Sequence, residues 1–177
     1  CPYLIKATVH GAESAEVECK WGGELMSPLL DYTSKVPVSR TIAQIQAKLV
    51  EHGARAVMME YGADGRIQAL AFNVKMPNGE LPIRLPIDAA ATLRVLQGQA
   101  YNREIPARYA KEEHAYRVAW RIIKDWIEAQ MSLLETEMVR MEEIFLPYVI
   151  TPSGQTIYQV MAGKGFLLGL GEGGKGE

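Results

Sequence analysis

The longest regular pattern of hydrophobic and polar positions covers residues 107–148. Apolar residues recur there every three or four positions, and the stretch contains no glycine and a single proline, Pro147. At about 100° per residue this spacing predicts one long amphipathic helix, which ends at Pro147 because proline disfavours helical geometry in the residue before it. The predicted apolar face consists of Ala115, Ala119, Ile123, Trp126, Leu133, Leu134, Met141 and Ile144, flanked by Trp120, Ile127, Met138 and Phe145.

A smaller α/β unit precedes this helix. A helix capped by Ser39 or Thr41 is predicted up to a stop at Gly53, followed by β-prone runs at residues 54–61, 66–74 and 80–85. Turn signals at residues 62–65 and 77–79 separate the runs and favour an antiparallel meander, in which Pro82 marks the third strand as an edge. The apolar stripe of the first helix consists of Ile42, Ile45, Leu49 and Val50.

The remaining segments complete an α+β fold. Asp88 is predicted to cap a second helix that ends at Gly98, a polar connector fills residues 98–107, and a short last helix lies within residues 155–161. The fold class predicted is therefore α+β: a three-stranded antiparallel sheet with two flanking helices and one long amphipathic C-terminal helix. Residues 26–162 form the predicted single domain, and the glycine-rich residues 163–177 a flexible tail.

Residues 1–25 are predicted to be an extension outside this domain. The first methionine is Met26, and it follows Gly22, Gly23 and Glu24, which is what a purine-rich ribosome-binding site gives when it is translated in frame. These residues are thus expected to be upstream DNA read as protein, or a disordered extension. The alternative is a β-hairpin of residues 3–10 and 15–21, whose alternation of apolar and polar positions is weak.

Composition narrows the possible functions. The hydrophobic content of 48% and the charged content of 23% are ordinary for a globular protein. A net charge of −2 argues against a generally basic nucleic-acid-coating protein but allows a local basic patch. No apolar run reaches the roughly 20 residues that span a bilayer. We therefore expect no membrane partner and a cytoplasmic location.

Neither a catalytic nor a metal-binding motif stands out. The tail lacks the G-x-x-x-x-G-K-[ST] pattern of a phosphate-binding loop, because Gly176 follows Lys175. His10, His52 and His114 share no ligand spacing, and Cys1 and Cys19 form neither a disulfide framework nor a zinc pattern. No catalytic residue, metal or cofactor is predicted, and an enzyme is the least favoured class.

The polar face of the long helix divides by charge. Its first half carries His114, Arg117, Arg121 and Lys124, and its second half carries Glu128, Glu135 and Glu142. Three interpretations stay open: two such helices pair antiparallel in a homodimer, the basic half binds an anionic partner such as nucleic acid, or the face is simply solvated. Arg103, Arg108 and Lys111 lie nearby in the sequence and would extend the basic half.

The predicted length of the helix raises the question of what covers it. About 40 residues span roughly 60 Å, which is more than a small sheet covers. Either a second copy packs against the uncovered part, or a kink folds the stretch into two helices over one core. Gln130 and Glu137 interrupt the apolar face one heptad apart, and both are expected to set the register of a helix pair, with a functional carboxylate at Glu137 as the alternative.

Three stretches resemble a family of small phage and prophage proteins of undetermined function. They read VPVSRTIAQIQAKLVEHGARAVMMEY, GRIQALAFNV with LPIRLP, and VAWRIIKDWIEAQMSLLETEMVRMEEIFLPYVITPSGQTIYQVM, and they lie within residues 35–161. The resemblance implies a phage or prophage protein that acts in the bacterial cytosol near replication or recombination, and it implies no catalytic residues. The helix–three strands–helix order is also similar in topology to a double-stranded-RNA-binding domain, although the basic start of that family's second helix is absent.

Together these features predict a non-enzymatic accessory protein that acts by binding, with nucleic acid as the expected partner. The alternative is a protein that binds a host protein or a small ligand and so counters host defence. The basic half-face of the long helix is the single positive indication for nucleic acid.

Overall fold

The computed structural model describes residues 27–76 and 79–166. Its three strands form one antiparallel sheet in the order β1-β2-β3, so the predicted meander and the α+β class are confirmed. The elements in chain order are α1 (Val38–Glu51), β1 (Ala54–Tyr61), β2 (Ile67–Met76), β3 (Gly79–Pro86), α2 (Ala89–Tyr101), a 3₁₀ turn (Ala107–Tyr109), α3 (Glu112–Glu135), α4 (Met141–Phe145), a second 3₁₀ turn (Leu146–Tyr148) and α5 (Ile157–Gly163).

The sheet has one covered face and one open face. Leu70, Phe72 and Val74 alternate along the central strand β2 and point into the core, where all three are buried. On the other face Ala69 and Ala71 are also buried, although no helix covers them. The side chains of Glu60 in β1 and Arg84 in β3 meet above them in a bidentate ion pair that spans the central strand. The small side chains of Ala69 and Ala71 leave room above β2 for this ion pair.

Helices α1 and α3 cover the inner face. Ile42, Ile45 and Leu49 of α1 are buried against the sheet, as predicted, whereas Val50, the fourth residue of the predicted stripe, is 60% exposed. The helix begins at Val38 without a side-chain cap, so neither Ser39 nor Thr41 has the predicted capping role. Its end is as predicted, because Gly53 adopts the left-handed conformation (φ 92°) that favours glycine.

The second helix differs from its prediction in length and position. It continues through Gly98 to Tyr101 and packs mainly against α3 rather than on the sheet. Gln99 explains the extra turn: it is buried, its amide accepts from Leu29 N (3.1 Å) and its Nε2 donates to Ser27 O (3.3 Å). Since α3 occupies the place beside α1 on the sheet, the topological similarity to a double-stranded-RNA-binding domain does not extend to its packing.

The single long helix of residues 107–148 was a wrong prediction. Helix α3 stops at Glu135, and the chain turns before α4, so of the two alternatives the kink over one core is found. Glu137 N donates to Leu134 O and Met138 N to Leu133 O, the two hydrogen bonds of a helix-terminating Schellman motif. Glu137 itself has a φ of 56°. The turn returns Phe145 to the core, where its ring contacts Phe72 and Trp126 edge to face.

The apolar face of α3 is wider than a single stripe. The helix lies between the sheet on one side and α2 on the other, so Trp120, Ile127 and Met131 are buried towards the sheet. Ala115 and Val118 are buried in a second cluster with Leu96 of α2. Met138, predicted on the flank, is instead 71% exposed because it lies beyond the end of the helix. The uncovered apolar face on which a helix-paired dimer depended is therefore occupied within the chain.

The last predicted elements are largely present. Helix α5 begins at Ile157 behind a capping box in which Thr156 accepts from Gln159 N. Strand β3 is an edge strand, as Pro82 indicated. Among the described residues, none of the helices is both long and apolar enough to cross a bilayer. The predictions for residues 1–25, for the turn at Pro77 and Asn78 and for most of the tail lie outside the described residues.

Candidate binding surface

The four basic residues predicted to bind an anion are distributed along the first half of α3. His114 donates from Nε2 to Tyr32 O, in the segment that leads into α1, and Arg117 lines a cleft together with Lys35 and Tyr116. The Arg117 guanidinium is 3.7 Å from Glu113, one turn earlier in the helix. This half of α3 is therefore partly covered by residues 27–37 and by α1, so the simply solvated face, one of the three interpretations, does not describe it.

Arg121 and Lys124 belong to a half-buried charge cluster. The Arg121 side chain is 15% exposed, donates to Gln44 (3.2 Å) and lies 3.7 Å from Asp125. The Lys124 side chain is 12% exposed and donates to both Asp125 and Glu128. Although burial opposes it, these hydrogen bonds raise the pKa of Lys124. Of the opposite charges considered for pairing between helices, Lys124 and Glu128 thus pair one turn apart within α3, whereas Glu135 lies 3.0 Å from His52 and 3.7 Å from Lys48 of α1.

Two carboxyl groups meet at the centre of this cluster. Burial raises the pKa of Asp31, and the hydrogen bond and negative charge of Asp125 raise it further. Burial alone would raise the pKa of Asp125 too, but the hydrogen bond from Asp31 and the charges of Lys124 and Arg121 outweigh it, so the pKa of Asp125 is lowered. The pair therefore holds a proton on Asp31 more readily than either group would alone. Asp31 also has a left-handed backbone, with a φ of 59°.

The two polar residues predicted inside the apolar face have separate positions. Gln130 is partly buried on α3, as expected for a helix residue. Glu137 is exposed in the turn after α3 and terminates the helix, so its predicted place in a helix interface is wrong. A left-handed residue cannot continue the apolar stripe on which that assignment relied.

The connector between α2 and α3 carries a different set of basic residues. Arg103, Arg108 and Lys111 are exposed, and none of them forms an ion pair with a carboxylate in the described part of the chain. Two tyrosines accompany them. Tyr101 is 89% exposed at the end of α2, and the Arg108 guanidinium lies 4.8 Å from the centre of the Tyr109 ring. We call these five residues the connector surface.

The connector surface is fixed to the body of the protein. Ile105, in the middle of the connector, is buried between α2 and α3. The Tyr109 ring meets Tyr32 edge to face at 5.4 Å and lies 5.0 Å from the His114 ring. His114, one of the predicted site residues, thus packs against the Tyr109 ring of this surface. The charges and rings are presented on a short, anchored segment rather than on a free loop.

Arg103 occupies a position that normally favours glycine. Its N–H donates to Ala100 O, and that of Glu104 to Gln99 O, so α2 ends in a Schellman motif with Arg103 at the left-handed position (φ 61°). A residue with a Cβ atom is disfavoured there by about 1 kcal/mol or more relative to glycine. Nothing in the fold requires an arginine at this position. A contact made by the Arg103 side chain would explain why arginine, and not glycine, stands there.

A cleft of about 470 Å³ lies between the end of the sheet and the starts of α2 and α3. Most of the charged side chains that line the cleft already interact with other groups of the protein. The Arg66 guanidinium lies over the Tyr116 ring (5.5 Å) and 4.0 Å from Glu112, while Arg84 is held by Glu60. The carboxylates of Asp64 and Asp88 are already used, since they accept from the backbone of Arg66 and Ala91. The volume lies in the range of small-molecule sites.

Comparisons with known proteins add no further constraint. None of the family models, curated proteins or solved structures that were searched matches this chain. Within residues 27–76 and 79–166, groups of three or more histidine, cysteine or acidic side chains that could hold a metal ion are absent.

The sequence pattern indicated the three basic residues of the connector but not its two tyrosines. The available signal was the run YNREIPARYAK, in which basic and aromatic residues alternate without helical periodicity.

Proposed function

We propose that this protein binds single-stranded nucleic acid through the connector surface. The observation that carries the proposal is the presence of three exposed cations without carboxylate partners beside an almost fully exposed tyrosine, Tyr101. Proteins that bind single strands combine cations for the phosphates with aromatic rings on which bases stack. Arg108 and Tyr109 already stack on each other, which presents a cation and a ring edge together. The phage origin and a role in replication or recombination stay predictions.

The position of Arg103 supports the proposal independently of its charge. A strained backbone that another residue would relieve is a reason to look for a functional contact. We expect Arg103→Gly to stabilise the fold by about 0.5–1 kcal/mol and at the same time to weaken binding. Glu137→Gly is the matched control, because it relieves the same strain at the end of α3 and leaves the connector surface unchanged.

The direct test is fluorescence anisotropy with a labelled oligothymidylate of about 15 nucleotides, a length in the range of single-strand site sizes. Three phosphate contacts give a salt slope of about −2, so affinity should fall roughly 15-fold between 50 and 200 mM salt. Tyr101→Ala should weaken binding about tenfold through lost stacking. The charge reversal R103E/R108E/K111E should abolish binding.

A second charge-reversal variant distinguishes an effect of the connector surface from an effect of net charge. The control R40E/K75E/K164E changes the net charge by the same amount at exposed residues elsewhere, and it should retain most of the affinity. An equal loss in both triple variants would reduce the effect to net charge and reject the connector surface. Absence of any binding at 50 mM salt would reject the proposal altogether.

A small ligand in the 470 Å³ cleft is the second candidate function. Its lining includes the apolar side chains of Ile67, Ile87 and Leu93 and the amide of Gln68, whereas the Tyr116 hydroxyl is already hydrogen-bonded to the backbone of Ile67. Leu93→Trp should fill the cleft and abolish a thermal shift caused by such a ligand, while leaving oligonucleotide binding unchanged. The same variant therefore separates the two candidates.

A further inference from the structure

Residues 27–37, which we call the lead-in, connect to α1 and lie against α2, α3 and the connector between them. None of the eleven positions is buried. The buried amide of Gln99 accepts from Leu29 N, and His114 donates to Tyr32 O. Leu29 and Tyr32 pack at the edge of the second apolar cluster. A segment with so few buried contacts opens at a lower free energy than the rest of a fold.

The docking of the lead-in is imperfect at Asp31. This residue has a left-handed backbone, with a φ of 59°. Its Oδ2 lies 4.0 Å from Arg121 Nε, and both atoms are buried without a hydrogen-bond partner in the described structure. Because Arg121 is about two turns beyond His114 on α3, a substitution at Asp31 changes the docking without altering the connector surface itself.

The lead-in supports one cation of the connector surface through a chain of rings. The half-buried Tyr109 ring meets Tyr32 edge to face at 5.4 Å and lies 5.0 Å from the His114 ring. The Arg108 guanidinium lies over the Tyr109 ring, and its Nη2 donates to the Tyr109 hydroxyl (3.3 Å). A side chain that is already held in place loses less conformational freedom when it binds. The docked lead-in therefore prepares Arg108 for a phosphate.

We infer that docking of the lead-in and binding of a strand by the connector surface are coupled, with Tyr32 and His114 as positioning residues that act through Tyr109 on Arg108. This inference rests on the proposed function of the connector surface. Undocking should weaken binding about threefold to tenfold, the effect of having to order one long side chain. Because coupling between two equilibria is reciprocal, a bound strand should favour the docked lead-in by the same factor.

Two substitutions of Asp31 change the docking at constant charge. Asp31→Asn and Asp31→Val both remove one negative charge, but only asparagine readily adopts the left-handed φ, since valine is branched at Cβ. Trypsin cleavage after the exposed Lys35 measures undocking, and cleavage after Lys75 in β2 measures global unfolding. Asp31→Val should speed cleavage after Lys35 alone and weaken binding of the labelled oligothymidylate about threefold to tenfold.

Asp31→Asn should bind like the wild type. Loss of a negative charge would by itself favour a polyanion, so weaker binding by Asp31→Val has to come from undocking. Equal affinities of the two variants, despite faster cleavage after Lys35 in Asp31→Val, would overturn the coupling and leave the connector surface as an independent site.

A second pair of variants tests the positioning role and decides the question if Asp31→Val unfolds or stays docked. Tyr32→Leu keeps an apolar side chain but lacks the ring edge that meets Tyr109, whereas Tyr32→Phe keeps that edge. Tyr32→Leu should lose affinity by the same factor, with an unchanged salt slope of about −2 because all cations remain, and Tyr32→Phe should retain it. Equal affinities of this pair overturn the inference. Absence of oligothymidylate binding by the wild type would instead reject the proposed function, and the coupling with it.

Discussion

Replacement of Asp31 by Asn tests the charge cluster that fastens the residues before α1 to α3. Asparagine has the shape of a protonated aspartate and tolerates the left-handed φ of 59° equally well, so the backbone need not move. Because the pKa of Asp31 is raised, the fold favours the neutral form of this side chain. Asp31→Asn should therefore stabilise the protein at pH 7.

The magnitude follows from opposing interactions. Asp31 Oδ2 lies 4.0 Å from Arg121 Nε, an attraction of about 4 kcal/mol at an effective dielectric constant near 20. Both atoms are nevertheless buried without a hydrogen-bond partner, and Asp125 repels the Asp31 carboxylate. The raised pKa shows that burial and repulsion outweigh the attraction. An unpartnered buried acceptor costs about 1–3 kcal/mol, so after the partial offset by Arg121 we expect a gain on the order of 1 kcal/mol.

The sign of the pH dependence is set by the same shift. A raised folded pKa means that the folded state binds the proton more tightly, so the penalty is absent below the ordinary pKa of 3.8 and grows as the pH rises through the folded value. The advantage of Asp31→Asn should thus be full at pH 7, shrink as the pH falls through the folded pKa, and be lost below the ordinary pKa of 3.8. Asp125→Asn should do the opposite at pH 7, because the lowered pKa of Asp125 stabilises the fold above 3.8.

Urea denaturation at several pH values between about 3 and 7, followed by tryptophan fluorescence, measures both variants against the wild type. Since Asp31 and Asp125 shift each other's pKa, the differences from wild type report on the coupled pair, and the remaining carboxyl groups cancel. A loss of stability in Asp31→Asn at pH 7, or an advantage that does not change with pH, would refute this account of the cluster.

Two further substitutions, each compared with a control variant, test the packing. Glu137→Gly should raise the free energy of unfolding by about 0.5–1 kcal/mol by relieving the left-handed backbone. Glu135→Gly, two residues earlier at the last position of α3, should instead lower it by up to about 1 kcal/mol, and it also removes the pairing with His52 and Lys48. A destabilised Glu137→Gly would contradict the assigned turn. Trp120→Phe should stay within about 1 kcal/mol of wild type, because removal of a buried indole N–H without an acceptor returns roughly the 1–3 kcal/mol that lost packing costs. Leu70→Ala, at an equally buried site, should cost about 3–5 kcal/mol in the same denaturation assay.

The local elements of this protein follow from its sequence. The stripe of Ile42, Ile45 and Leu49 predicts α1, the β-prone run of residues 66–74 predicts the central strand β2, and Pro82 marks an edge strand. Each of these signals lies within a few residues and depends on backbone geometry and side-chain direction alone. Gly53 likewise ends its helix as predicted, because glycine readily adopts a positive φ.

Only the tertiary structure determined how the long apolar stretch is divided and what its polar face does. Nothing in the periodicity of residues 107–148 marks a break at Glu137, because no glycine stands there. The break lets α4 return Phe145 to the core, a gain that depends on partners distant in the sequence. Arg121 and Lys124 pair with Asp125 and Glu128 on their own helix, pairs that helical spacing allows but does not establish. Arg121 also donates to Gln44 of α1 and lies 4.0 Å from Asp31, and the sequence alone does not show that these distant segments cover the basic half of α3.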